Sequence, residues 1–358
     1  MIFDPAFPPT SNSLNRFKIW ELTGFPPEKI GWAFYDLVSS AALTRAIEAH
    51  AEVLAIAPTE DNLHMTYFQR LADSNEAAVA IARQMGRCFG FLLVALKRGN
   101  TLNREKNAEK DAAYWAYWSQ VDTVYLGGGL ADGDFGRLLL TAAQQVLEDY
   151  GIAIQLHIAI HPRHLGILGA ARYVSTGQQA IALDFGGTLV KRARAAYTAS
   201  GLQHVELLPS LPVEFDLYTG EGQEQAIFDT FVSLLVDAYQ LDDAPVIPVS
   251  ISAYTSPDGQ PLMAQGGIYM HMSRLSNNLP KLLSQTVSQR VGRDVTVKLL
   301  HDGSAAAAFF APLDHAVVIT LGTAIGSGYP VARSGLRPVA PDLSVQASDS
   351  PTHSLGTV

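Results

Sequence analysis

Three glycine-bearing turns stand directly after apolar runs that predict strands. They are Asp184-Phe185-Gly186-Gly187-Thr188, Leu321-Gly322-Thr323-Ala324-Ile325-Gly326-Ser327-Gly328, and Gly127-Gly128-Gly129. Without a Cβ, the backbone of such a turn can approach a phosphate and present its N–H groups to it. A neighbouring threonine adds a hydroxyl donor. An aspartate closing a strand, as Asp184 does, can hold Mg²⁺ or its waters. A single glycine after a strand is most often only a tight turn. Two Gly-Thr turns and a glycine triplet in one chain together point to phosphate. Lys191 follows three residues after Thr188 and is either a phosphate-steering cation or a solvated strand lysine. Asp302 follows a predicted strand and precedes Gly303-Ser304 and the alanine run 305–308. It either takes a proton from an attacking hydroxyl or caps the alanine helix.

These residues need strands and helices in alternation to position them. Val121–Leu126 and Ile152–Ile160 predict strands, separated by a helical pattern over Phe135–Tyr150. His164–Val174 is a Gly/Ala-rich helix. Ala180–Leu183 and Lys191–Thr198 predict a hairpin. Helices follow at Ala226–Tyr239 and Leu275–Val291, with strands at Val246–Ala253, Val295–Leu300 and Val317–Leu321. Tyr254 to Gly259 is a loop. Upstream, residues 28–56 suit helices, and Asp73-Ser74-Asn75-Glu76 starts a helix that stops at Arg98-Gly99. Arg104–Lys110 is expected to be exposed, and the tail from Ala340 irregular. Alternating strand and helix implies an α/β fold.

The chain has 358 residues, which at about 150 per domain predicts two domains. It is 48% apolar, enough for real cores, and its formal charge is −9. That balance argues against a nucleic-acid partner bound through a basic surface and against a polybasic membrane anchor. The single cysteine, Cys88, excludes an intrachain disulfide framework and a cysteine-rich zinc site. No early basic segment with an apolar stretch follows Met1, and the cleanest apolar runs, such as Phe89–Leu96, fall short of about 20 residues. The expectation is a cytoplasmic protein with no membrane partner. Walker A, Gly-x-Ser-x-Gly and protein-kinase catalytic-loop patterns are absent, so the Asp-Phe-Gly tripeptides at 134 and 184 stand alone. His157, His161 and His164 are read as ordinary histidines rather than metal ligands, and Tyr114, Trp115, Tyr117 and Trp118 as a core helix face rather than a stacking platform.

The turns and Asp302 together resemble the sugar kinase, hexokinase and actin superfamily of ATP-binding proteins, and within it the ROK family. The resemblance touches roughly residues 75–335. It implies an α/β, two-lobed actin-like ATPase fold with ribonuclease H-like lobes, ATP and Mg²⁺ as cofactors, and a sugar-like small molecule as substrate. It admits a homodimer. By the match, Asp302 is the general base and Asp184 holds the metal. Gly186, Gly187, Thr188, Lys191, Gly322, Thr323 and Gly326 would meet the phosphates. Gly127, Gly128 and Gly129 would border the adenosine. Ser256 and His301 would face the acceptor. Residues 165–171 are similar to the family's closing helix.

The motif order departs from the family's, because the adenosine motif and closing helix come first. That implies a circular permutation, with residues 178–310 as one lobe and 1–177 plus 311–358 as the other. His301 stands where the family usually has Asn, the family's zinc motif is missing, and Arg337 to Asp342 occupies the place of its sugar-gripping Glu–His pair. Two alternatives stay open: a non-catalytic nucleotide- or sugar-binding regulator of this fold, and an enzyme like the type II pantothenate kinases, which Gly187 to Lys191 also resembles.

Overall fold

The polar residues before Ala77 start a helix as their types require. In the computed structural model Glu76–Arg98 is a 23-residue helix; the Asn75 side chain accepts from the Ala78 N–H, and Gly99 ends it at φ 52°. The structure describes residues 13–57, 62–174, 177–187, 189–213, 222–262 and 268–348. The main helices are α1 (Ser40–Ala49), α2 (Leu63–Ala72), α3 (Glu76–Arg98), α4 (Ala112–Gln120), α5 (Gly133–Asp149), α6 (Leu165–Ala171), α7 (Gln223–Leu241), α8 (Leu279–Val291) and α9 (Asp302–Ala308). The strands are β1 (Thr123–Gly127), β2 (Gln155–Ile158), β3 (Gln179–Phe185), β4 (Leu189–Thr198), β5 (Gly201–Pro212), β6 (Val246–Ile251), β7 (Thr296–His301), β8 (Ala316–Leu321), β9 (Ile325–Gly328) and β10 (Val339–Ala347). The α/β class expected from sequence is the class observed.

The chain divides into two compact units. A central unit comprises Gly166–Phe309 and the segment from Arg333 onwards, and an N-terminal unit runs to Leu165 and takes in Phe310–Ala332. This division differs from the lobes drawn from sequence at 166–177 and from 333 onwards, which group with the middle block. Two contacts account for that. Of the tail expected to be irregular, the residues up to Ala347 belong to β10, which pairs parallel with β5. Gly166 and Gly169 on α6 pack against Asp184 and Ala305; a Cβ at Gly169 would fall 1.6 Å from the Ala305 carbonyl oxygen.

The N-terminal unit holds a four-stranded sheet ordered β2-β1-β8-β9. β1 lies parallel to both β2 and β8, and β9 is antiparallel to β8. Its helical layer turns on the crossing of α3 with α5. Gly86 and Gly90, one turn apart, put the α3 backbone against α5: added Cβ atoms would lie 2.3 Å from the Leu139 oxygen and 2.8 Å from the Ala143 oxygen. Among the described residues α3 is the one helix long and apolar enough to cross a membrane, which the length of Phe89–Leu96 alone did not foretell, and most of that stretch is buried in the unit. Cys88 lies on it, 3% exposed, with Lys29 Nζ 3.6 Å from its sulfur; burial pushes its pKa up. Tyr114, Trp115 and Trp118 are core residues of α4. Lys110, expected to be exposed, is buried. Its ammonium donates to the Ser13 carbonyl at 2.6 Å, and burial pulls its pKa down to about 8.

The central unit holds a six-stranded sheet ordered β10-β5-β4-β3-β6-β7. β3, β4 and β5 run antiparallel in sequence, while β3, β6 and β7 are parallel neighbours. One core packs α7 and α8 against the sheet, with Phe185 stacked on Phe231 at 3.9 Å between centroids.

Because the α3–α5 crossing leaves no room for a side chain, Gly86→Val should destabilise the protein by about 1–3 kcal/mol or more. Thermal unfolding followed by circular dichroism measures this, and an unchanged transition would contradict the close crossing.

Candidate functional site

The carboxyl-terminal ends of three adjacent parallel strands bring the central unit's chemistry together. Asp184 is the penultimate residue of β3 and stands in register with Ser250 on β6. Ile251 on β6 stands in register with His301 on β7, and Asp302 follows as the first residue of α9. Open α/β sheets bind ligands at such strand ends.

Asp184 is 8% exposed, and a carboxylate so buried must be held by donors. Ser250 Oγ donates to its Oδ1 at 2.7 Å. Lys191, directly across the hairpin on β4, pairs with its Oδ2 at 3.1 Å. Lys191 is therefore a paired, partly exposed lysine rather than a free cation. The Gly186-Gly187 turn follows at once. Gly186 N–H donates to the Leu189 carbonyl at 3.0 Å, and the Gly186 carbonyl accepts from the buried Tyr269 hydroxyl. A side chain at Gly187 would meet nothing within 4 Å, so the turn is open where a ligand would approach. Thr188 lies outside the described residues.

Asp302 does not cap its helix. His301 holds the cap position, with Nδ1 accepting from the Ser304 N–H at 3.3 Å. That bond places the ring proton on Nε2, 3.1 Å from Asp302 Oδ1, so the imidazole donates to the carboxylate. His301 is 9% exposed and lies flat on Tyr254, 4.3 Å between centroids at 18°. Burial holds its pKa below the ordinary histidine value, with Asp302 opposing and the Arg333 charge adding to the effect. Asp302 also accepts from the Gly303 N–H at 2.6 Å. Its side chain is 35% exposed, but the surrounding protein withdraws it from water and Asp184 adds negative charge, so its pKa is raised, with His301 opposing.

In the N-terminal unit, the glycine triplet and the 321–328 glycine turn meet at the ends of β1 and β8, where Gly127 pairs with Thr320. Gly128, at φ +86°, is a close-approach glycine: a Cβ there would lie 2.2 Å from the Leu321 carbonyl oxygen. Gly127 is likewise filled by the Leu165 side chain, 2.5 Å from an added Cβ, whereas Gly129 faces open space. Only Gly129 of the triplet therefore has the room a ligand needs. Gly322 is open as well, with its nearest neighbour 3.9 Å from an added Cβ. Thr323 is exposed at the tip of the β8–β9 turn, and Gly326 pairs with Thr320 inside the hairpin.

Ser256 is spent on its own turn, donating to Asp258 Oδ1 and accepting from the Gln260 N–H at 3.0 Å. His157 stacks on Tyr125, and among the described residues no three His, Cys, Asp or Glu side chains group as a metal site. Mg²⁺ often takes one or two carboxylates and completes its shell with water and phosphate oxygens. Asp184, a hard oxygen donor with lone pairs left beyond its two hydrogen bonds, fits that ion. Sequence reasoning missed Ser250, Tyr254 and Tyr269. Ser250 looked like one more residue of a buried strand, and the two tyrosines matter only through contacts made in the fold.

No family model matches the chain, and no curated protein matches it. Among solved structures it is similar to a ROK family glucokinase from Streptomyces griseus in complex with glucose and AMPPNP, at 24% identity and a TM-score of 0.30. The match covers 44% of this chain and 48% of that one, so the chain spans about half the length of that glucokinase.

The burial of Asp302, with the Asp184 charge adding to it, carries a stability consequence. The folded pKa of Asp302 lies above its unfolded value, so its contribution to stability is lost as pH rises through the folded pKa. Asp302→Asn keeps the acceptor for His301 and Gly303 and removes the charge. It should stabilise the fold at pH 7–8 by on the order of 1 kcal/mol, seen as a higher melting temperature. The gap should close in acid, where Asp302 itself is neutral. Melting curves of both proteins across pH check this, and a constant gap would contradict it.

Proposed function

We propose that the chain is an ATP-dependent phosphotransferase that phosphorylates a hydroxyl of a sugar or sugar-like small molecule. Its fold would be the two-lobed actin-like one, with motifs in circularly permuted order. The observation that carries the proposal is the state of Asp302. A carboxylate that could have capped a helix is released from that task by His301, and is held by a neutral imidazole at a strand end beside Asp184.

In the proposed reaction the acceptor hydroxyl oxygen bonds to the γ-phosphorus of ATP as the bond to the β,γ-bridging oxygen breaks. ADP leaves, and the hydroxyl proton passes to Asp302. His301 fixes the carboxylate through Nε2–H and, being neutral, leaves it basic. Asp184 would hold Mg²⁺, which neutralises phosphate charge when bound. Each unit would offer open backbone to a nucleotide: Gly187 in the central unit, and Gly129 and Gly322 in the N-terminal unit, with the Thr323 hydroxyl as a further donor. Lys191, bound to Asp184, would balance charge there rather than grip phosphate alone.

Screening ATP consumption against a panel of sugars and pantothenate tests the proposal. Asp302→Asn should lower turnover by about 10²–10⁴-fold while nucleotide affinity stays within about twofold. Because the Asp302 pKa is raised, the acid limb of the parent's kcat profile should fall above the ordinary carboxylate value of about 4. A chain that binds ATP and transfers to no acceptor would favour a regulator of the same fold. No ATP binding by calorimetry would end the proposal.

A further inference from the structure

The second phosphate turn is held from outside by the beginning of the described chain. β9 is an edge strand, so one side of its backbone has no strand partner within the sheet. At Ile325 that side is taken by one side-chain amide. Asn15 Nδ2 donates to the Ile325 carbonyl at 2.9 Å, and the Ile325 N–H donates to Asn15 Oδ1 at 2.8 Å. The amide thus reproduces both bonds of a strand pair across 310 residues of sequence. The other end of the turn is held by α1, whose first backbone N–H, at Ser40, donates to the Gly322 carbonyl at 2.8 Å. The turn 322–324 hangs between these two anchors.

Both anchors are rigid. Leu14 and Phe17, which flank Asn15, are fully buried. The Asn15 carbonyl accepts from Tyr35 N–H at 3.0 Å and the Phe17 carbonyl from Phe34 N–H at 2.8 Å. Ser39, which caps α1 by accepting from Ala42 N–H, is also fully buried. A three-residue glycine turn otherwise samples many conformations, and ordering it would cost binding energy.

We propose that Asn15 is a positioning residue for nucleotide binding: with the Ser40 N–H it pre-sets the second phosphate turn, so residues 13–40 are coupled to nucleotide affinity. This rests on the phosphotransferase proposal above. The coupling is reciprocal, so nucleotide bound at the turn must in turn stabilise the Asn15 clamp.

Two full-length variants test it, with AMPPNP and Mg²⁺ as the probe. Asn15→Ala removes one anchor. Ser40→Pro removes the other donor at the first helical position, where proline is tolerated, after a Ser39 already extended at φ −97° and ψ 173°. Losing one or two hydrogen bonds that order the turn should raise the calorimetric Kd about tenfold. AMPPNP should also slow hydrogen exchange at 13–19 and 322–328 in the parent and not in Asn15→Ala, a change that a merely structural role would not produce. If the parent binds AMPPNP and both variants bind within twofold of it, this inference fails and the functional proposal stands. If the parent binds none, both fail. Should Asn15→Ala not fold, Ser40→Pro alone decides by the same criterion.

Discussion

A carboxylate buried at the end of a central strand constrains the central unit more than any other group. Asp184 needs donors that water does not supply there, and they come from both neighbouring strands: Ser250 from β6 and Lys191 from β4. In the registers these strands take, both donors stand opposite Asp184. Once β6 is so placed, β7 beside it delivers His301 and Asp302 to the same edge. The cost of burying the charge is thus offset by bonds that also assemble the site. A second carboxylate close by leaves negative charge that the folded protein tolerates, as functional sites commonly do.

The glycines fall into two physical kinds that sequence alone does not separate. At Gly86, Gly90, Gly127, Gly128 and Gly169 the missing side chain is replaced by other protein atoms. These glycines exist so that two elements can touch. At Gly129, Gly187 and Gly322 the missing side chain leaves open space. Those three motif glycines are the ones whose surroundings leave space for a ligand.

Much of the architecture was legible in the sequence. The hairpin at Gly186-Gly187, the capped start of α3 and the strand before Asp302 all carry local signals, namely turn glycine, polar cap and apolar run. β5 and β10 carried none. β10 is an edge strand with a proline and, apart from Ala340, only half-exposed or exposed residues, and it becomes a strand only because β5 is there to pair with. The identity of the α9 cap is left open in the sequence between two roles for Asp302, and neither reading offers His301. Asp is the better cap by propensity, yet His301, stacked on Tyr254, holds that position, a contact visible only in the fold. The Asn15 clamp spans nearly the whole chain and has no local signature at all.

Cys88 is the only cysteine in the sequence, and it sits deep in α3 within the N-terminal unit. Its thiol is shielded from solvent and kept protonated by burial, so it should react slowly in the native state. A thiol reagent therefore reaches it only when that unit opens, while events confined to the central unit leave it silent. The chain carries a built-in chemical clock for one of its two halves, which requires no engineered probe to read.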